Sequence, residues 1–402
     1  MKKLLFILIW LFSLIAISIY VNENPGKIEI IKNYFSKEKM PVLALDDGEI
    51  QRQPGNSFLI EFQKVVSLSE KTAFIVHDEN IQDFDENSLK IYTQNGYVTN
   101  NLKYEKLNLP KVFTTLKNGG VKTIFIYNNN EFALISSSKE GCFYASIVSL
   151  NNGKELFKTK CLPKEYIDYN GLGSSNIHHN NKVYLSIGTP EQRSSKIRAL
   201  AQDNNSMFGK IISIDIKSKD YEIIAMGSRN AQGLYYDEDR DIIIHTEHGP
   251  IGGDEININL HPDNKIIENY GWPISSYGTH DDGKFRKEAP LHKSHKDYGF
   301  IEPIKYYTPS IAISEIIRIP STFSERFTND FFIGALGFKD QINDGDQSIH
   351  HIRFNENFDQ IIFEDVIPIG ERIRDMIFIK EKNIILMILE SIPAIGVLKL
   401  IN

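Results

Sequence analysis

Positive charge is in short supply: 45 Lys and Arg face 52 Asp and Glu across 402 residues, leaving a net charge of −7. With no global basic field to hold a phosphate backbone, nucleic acid is not expected as a partner. Cysteine is scarcer still. Two residues, with no CxxC pair, rule out a disulfide scaffold and give no sign of a zinc or thioredoxin-like centre. They allow one bridge. Cys142 and Cys161 flank two short β-like runs joined by Asn151-Asn152-Gly153, so a hairpin sets them face to face if the compartment is oxidising. Two separate buried thiols are the equal alternative. Disorder is excluded by 41% hydrophobic content against 24% charged residues.

Long apolar runs are absent but for one. Leu4 to Val21 carries no charge and follows Met1-Lys2-Lys3; as a helix it spans about 27 Å, close to the hydrocarbon thickness of a bilayer. The lysines favour a cytoplasmic N-terminus, so the rest of the chain is expected to be exported. No A-x-A-like cleavage site follows, which favours an uncleaved anchor over a signal peptide. The expected organisation is a signal anchor or signal peptide over 1–22, a charged stalk over 23–50 and one folded region over 51–402.

Helical periodicity is the third absence. Hardly any segment keeps a 3.6-residue apolar repeat for three turns, and Asn and Gly interrupt most windows. What recurs instead are short runs such as KTIFIYN, EFALISS, KVYLSIG, KIISIDI, DIIIHTE and NIILMILES, rich in Ile, Val, Phe and Tyr and bounded by turn residues. The fold class is therefore all-β. So many strands over roughly 350 residues fit a propeller better than one sandwich. No WD or kelch-type repeat fixes the blade number.

Between Tyr166 and Pro273 the chain turns rich in Gly, Asn, His and acids, the composition of loops gathered around a site. The pieces AQDNNSMFGKIISIDI (201–216), GSRNAQGLYYD (227–237), TEHGPIGGDEININ (246–259) and NYGWPISSYG (269–278) are followed by YTPSIAISE (307–315), GALGFKD (334–340) and ERIRDMIF (371–378). In this order they resemble the soluble quinoprotein glucose and aldose-sugar dehydrogenases. Those are six-bladed β-propellers that bind pyrroloquinoline quinone (PQQ) and calcium. The resemblance covers roughly residues 165 to 385.

It implies a sugar or related alcohol as substrate, an external electron acceptor, and roles for named residues. The cofactor is a flat ortho-quinone with three carboxylates, which needs cationic forks and a hard metal. Arg229 and Asn230 match the family's active-site pair, the guanidinium polarising the quinone oxygen, with Gln232 in support. Arg372 and Arg374, two apart and so on one face of a strand, match its carboxylate-binding arginines. Lys339 adds a third cation or is a solvated lysine. Gly249 and Pro250 offer carbonyls to calcium, and Glu255 with Tyr270 marks a second, structural calcium. Without that motif, Asp254 and Glu255 read as solvated acids in a turn. His248 and Tyr307 take the places of a cofactor-contacting side chain and of an aromatic beside the cofactor plane, or are structural residues.

The pattern breaks at the general base. Where the family carries a histidine, this chain has Asn170, and an amide cannot accept the substrate's hydroxyl proton. His178 and His179 fall eight or nine residues later, expected at the other end of the blade, and nothing in the sequence supports a shifted Asp168. Two functions of different class follow: a PQQ- and calcium-dependent sugar dehydrogenase, or a non-catalytic propeller acting as a binding module at the cell surface. A calcium-dependent hydrolase ranks below both, since the matched loop offers carbonyls rather than a carboxylate-rich metal centre. The basic, His-rich insertion KFRKEAPLHKSHKD (284–297) is either part of the substrate rim or a solvated loop.

Overall fold

Two-residue turns set the architecture. Asn128 and Asn129, at φ 48° and 59°, join strand Val121–Tyr127 to Asn130–Lys139; Glu140 and Gly141, at 51° and 76°, join that strand to Cys142–Ser149. Both turns need left-handed backbone, the conformation whose twist matches a tight antiparallel hairpin. The β-branched and aromatic residues between them supply the buried faces.

The computed structural model describes residues 43–45, 50–55, 58–68, 73–76, 90–100, 103–162, 168–179, 182–190, 194–260, 262, 266–337 and 344–401. These form six sheets, antiparallel except where Glu268–Asn269 pairs in parallel with Asp220–Met226. Their inner strands are Ala73–Val76, Val121–Tyr127, Asn176–His179, Ala231–Asp237, Ile313–Arg318 and Ile373–Ile379, which open blades 1 to 6. Each inner strand lies against the next, and the last contacts the first, so the ring closes. The fold is the six-bladed β-propeller that the motifs imply.

Closure uses both parts of the chain. Blade 6 runs Ile373–Ile379, Ile384–Leu389, Ala394–Leu400 and takes Leu59–Leu68 as its next strand, with Leu398 opposite Phe62. Leu43–Leu45 and Gln51–Pro54 add to the edge of Leu59–Leu68. Residues 43–45 thus belong to a sheet rather than to the expected stalk, because their backbone completes an otherwise bare strand edge. The apolar segment 4–21 lies outside the described residues, among which no helix is long and apolar enough to cross a membrane.

The core is divided. Six apolar clusters each sit between two neighbouring blades, such as Phe125, Leu134 and Ile147 against Val183, Leu185 and Ile212 between blades 2 and 3. Burial between blades leaves the axis free for polar side chains. Cys142 and Cys161 are joined by a disulfide, their Cα atoms 5.4 Å apart.

Candidate active site

Four inner strands slip register near the end at which the motif loops gather. The breaks fall between Val121 and Thr123, Ala231 and Gly233, Ile313 and Ile316, and Ile373 and Asp375. A bulge adds an unpaired residue and re-aims its side chain. Here Lys122, Gln232, Glu315 and Arg374 all line one axial cavity of about 1030 Å³. Only Gln232 and Arg374 are legible as site residues in the sequence. The pair Gly119-Gly120 ahead of Lys122, with Gly120 at φ 131°, is the one local signal of the irregularity there.

A run of hydrogen bonds joins the motif residues across the ring. Gly173 N–H donates to Asn230 Oδ1 at 2.7 Å, and Gln232 Nε2 donates to the same oxygen at 2.9 Å. Arg374 Nη1 donates to Gln232 Oε1 at 2.7 Å and Arg374 Nε to Glu390 Oε1 at 2.7 Å. Arg372 Nη2 approaches Glu390 Oε2 at 3.6 Å, while its Nη1 donates to the carbonyls of Leu336 and Gly337. Its buried Nε has no hydrogen-bond partner. Glycine at 173 is a steric requirement, since a Cβ there would stand 2.1 Å from Gln232 Nε2 and 2.2 Å from Asn230 Oδ1.

Asn170 sits in the one-turn 3₁₀ segment Tyr169–Gly171, capped by Asp168, whose Oδ1 accepts from Asn170 N–H at 2.9 Å. It borders both the axial cavity and a second cavity of about 640 Å³. The second also takes in Arg229, Asn230, His248, Gly249, Pro250 and Trp272. Arg229 Nη1 donates to the His248 carbonyl at 2.9 Å, and its guanidinium lies 5.5 Å from the Trp272 ring centre. Burial foremost, then the Arg374 and Arg229 charges, push His248 down to about 3. It is therefore a neutral imidazole at neutral pH.

Below this mouth the EHGPIGGDE loop is pinned by a buried acid. Asp254 accepts from Gly249 N–H at 2.9 Å and from Ala312 N–H at 2.6 Å, and burial raises it to about 6. Asp254 and Glu255 are 1% and 4% exposed, so neither is the solvated turn acid that their residue type alone suggests. Gly249, Pro250, Glu255 and Tyr270 border a small cavity of about 10 Å³, room for one ion or water. Asn257 Oδ1 has no hydrogen-bond partner, and His295 Nε2, 3.5 Å from Glu255 Oε1, has its charge disfavoured by burial. Glu247 and Glu255 both border this space, and carboxylate oxygens are the ligand type a hard cation takes. Among the described residues no group of three His, Cys, Asp or Glu side chains is placed to hold a metal, so carbonyls would have to complete the set.

One site expectation lands elsewhere. Tyr307 borders neither large cavity; it sits on the outer strand of blade 4 and its hydroxyl donates to Glu364 Oε1 at 2.9 Å. The anionic partner on blade 5, invisible in sequence, draws the ring outward. Lys339 lies outside the described residues. The insertion 284–297 is half exposed but anchored at points: Glu288 accepts from the buried Arg198 at 2.7 Å, Leu291 packs on Trp272, and Arg286 borders the mouth cavity. His179 stacks on Tyr236 at 3.9 Å, and His178 packs on Phe125 and Tyr127, at the far end of the blade 2 inner strand from Lys122.

Lys122, Glu315, Glu390 and Trp272 are the residues sequence reasoning missed. Burial raises Glu315 to about 8 with Asp375 beside it, so it is a protonated acid at neutral pH. Burial, with Arg374 adding to it and Asp168 opposing, lowers Lys122 to about 7.

The family model for glucose/sorbosone dehydrogenase matches residues 146–391. A Synechocystis sp. protein described as uncharacterized is 32% identical over 194 residues, 45% of this chain and 42% of the relative. Aldose sugar dehydrogenase YliI of Escherichia coli is 32% identical over 173 residues, 40% of this chain and 43% of that one. The chain thus matches less than half the length of either relative. A glucose dehydrogenase and the apo form of the soluble E. coli aldose sugar dehydrogenase each superpose with a TM-score of 0.65 over 87% of this chain and 99% of theirs. At 17% and 18% identity these likenesses carry the fold.

Proposed function

The chain belongs to the glucose/sorbosone dehydrogenase family, and from that premise we propose that it oxidises a sugar or related alcohol with PQQ and Ca²⁺, electrons passing on to an external acceptor. One observation carries the reading: the hydrogen-bonded run from Gly173 through Asn230 and Gln232 to Arg374 ties the Asn170 turn, the Arg229 pair and the paired arginines around one opening.

The residues present fit a tricarboxylate quinone. Cavities of about 1030 and 640 Å³ meet at Asn170, and the partnerless Nε of buried Arg372 is a donor in want of an anion. Arg372, Arg374 and Lys339 would hold carboxylates, Arg229 would face the quinone oxygen with Asn230 and Gln232 fixing its neighbours, and neutral His248 would contact the ring. Gly249 and Pro250 would lend carbonyls to the cofactor's calcium, and Glu255 with Tyr270 would hold a structural one. When bound, the ortho-quinone supplies a two-electron hydride acceptor. The Cys142–Cys161 bridge supports an exported protein.

The test is reconstitution with PQQ and Ca²⁺, following binding by absorbance and dye reduction across a sugar panel. Stoichiometric binding with turnover is expected; no binding would end the reading. A second reading, a propeller that binds without catalysis, is favoured by Asn170 alone and predicts a bound quinone with no turnover.

A further inference from the structure

Resting on that reading, we propose that Lys122 Nζ is the general base that stands in for the absent histidine at Asn170. Lys122 is the extra residue of the blade 2 bulge and lines the axial cavity that Asn170 also borders. Its Nζ donates to the carbonyl of Tyr169, the residue before Asn170, at 3.0 Å and to that of Asn118 at 2.8 Å. Those two bonds use both protons of a neutral amine and leave its lone pair as the third direction, on a residue that lines the cavity.

The surroundings favour the amine over the ammonium. Arg374 on blade 6 opposes the positive charge, and burial opposes it more strongly. Asp168 is the counterweight, but its Oδ1 is already taken by Asn118 Nδ2 at 2.8 Å and Asn170 N–H at 2.9 Å. Besides Arg374, the other titratable walls of the cavity are Arg372, Glu315, Asp375, Glu390, Tyr235 and His178. Glu315, Glu390 and His178 do not compete for the role. Glu315 is protonated at neutral pH, Glu390 is held by both arginines, and His178 packs on Phe125 and Tyr127, three to five residues or roughly 10–17 Å further along the strand.

In the step, Nζ takes the proton of the substrate hydroxyl, breaking O–H and forming N–H. A bound quinone would accept the C–H pair as hydride while the carbon–oxygen double bond forms, so that the alcohol loses two electrons. The ammonium then returns its proton to solvent.

The first experiment needs no cofactor: the full chain is labelled with acetic anhydride over a pH series and the Lys122 peptide read by mass spectrometry. Half-maximal reactivity near pH 7 is expected; a profile like that of surface lysines overturns the proposal whether or not quinone binds. In the PQQ- and Ca²⁺-loaded protein, Lys122→Arg keeps a cation that cannot give up its proton. It is expected to retain quinone binding while kcat falls about 10²–10⁴-fold. Retained kcat in Lys122→Arg would make the residue a charge for the cofactor and overturn the assignment. Adding Asn170→His to Lys122→Met is expected to recover turnover, which a purely structural lysine would not allow. Loss of quinone binding by the unaltered protein would fail the parent reading, with the labelling result still deciding the state of the amine.

Discussion

Two buried lysines face opposite fates. Lys210, in the blade 3 strand Lys210–Asp215, is fully buried and donates to three carbonyls, those of Leu200, Ala201 and Phe208, at 2.9, 2.8 and 3.0 Å. Lys122 donates to two carbonyls and lines a cavity. Burial lowers both to about 7. The same desolvation therefore serves two ends: where every N–H is used, losing the proton breaks a hydrogen bond and the lysine is a clamp; where one direction is open, the amine is available for chemistry.

The sharpest way to break this contrast is exchange of function. Lys122→Arg is expected to lower kcat about 10²–10⁴-fold with the fold intact, read by dye reduction beside a thermal melt. Lys210→Met should do the reverse, taking one donor from each of three carbonyls, of which those of Leu200 and Ala201 keep backbone donors at Asp203 and Gly227. A loss of about 2–4 kcal/mol in denaturant unfolding is expected, with the Lys122 labelling profile unchanged. If Lys210→Met proves neutral, the clamp has no energetic content.

Gly173→Ala tests the network that joins the Asn170 turn to the arginines. The new methyl would meet Gln232 and Asn230 at 2.1 and 2.2 Å. A stability loss of about 1–3 kcal/mol, with weakened quinone binding in an absorbance titration, is expected.

The smallest effect is a slope. In both lysines the folded state holds its proton less tightly than the unfolded chain, whose lysines titrate near 10.5. Between about pH 7 and the unfolded value the unfolded state binds more protons, so stability should rise with pH over that window and be flat below it. Tyr169, raised by burial, opposes the rise only near its own unfolded value of 10.0. Denaturant midpoints from pH 7 to 9 check this; Lys210→Met and Lys122→Met should each flatten the slope.

Much of the site is legible in the sequence. Asn230, Gln232 and Arg374 stand in separate motifs and are joined by one run of hydrogen bonds through Gly173, with Arg229 bordering the mouth cavity and Arg372 the axial one. Tyr307 is not, because its hydroxyl finds Glu364 on the neighbouring blade, a partner 57 residues away. Lys122 reads in VKTIFIYN as a polar residue at the start of an alternating strand, facing solvent by pattern. Only the mismatch with Asn130–Lys139 turns it inward.

Composition and local pattern by themselves determined an all-β chain of short hairpins, since β-branched runs broken by Asn and Gly admit little else. They also marked where the motif residues lie. The tertiary structure alone decided which side chains meet at the axis, which of two buried lysines has an open side, and that Cys142 faces Cys161. The reason is that bulges, ring closure and burial between blades depend on pairings between distant strands, and a local sequence window carries no record of its partner.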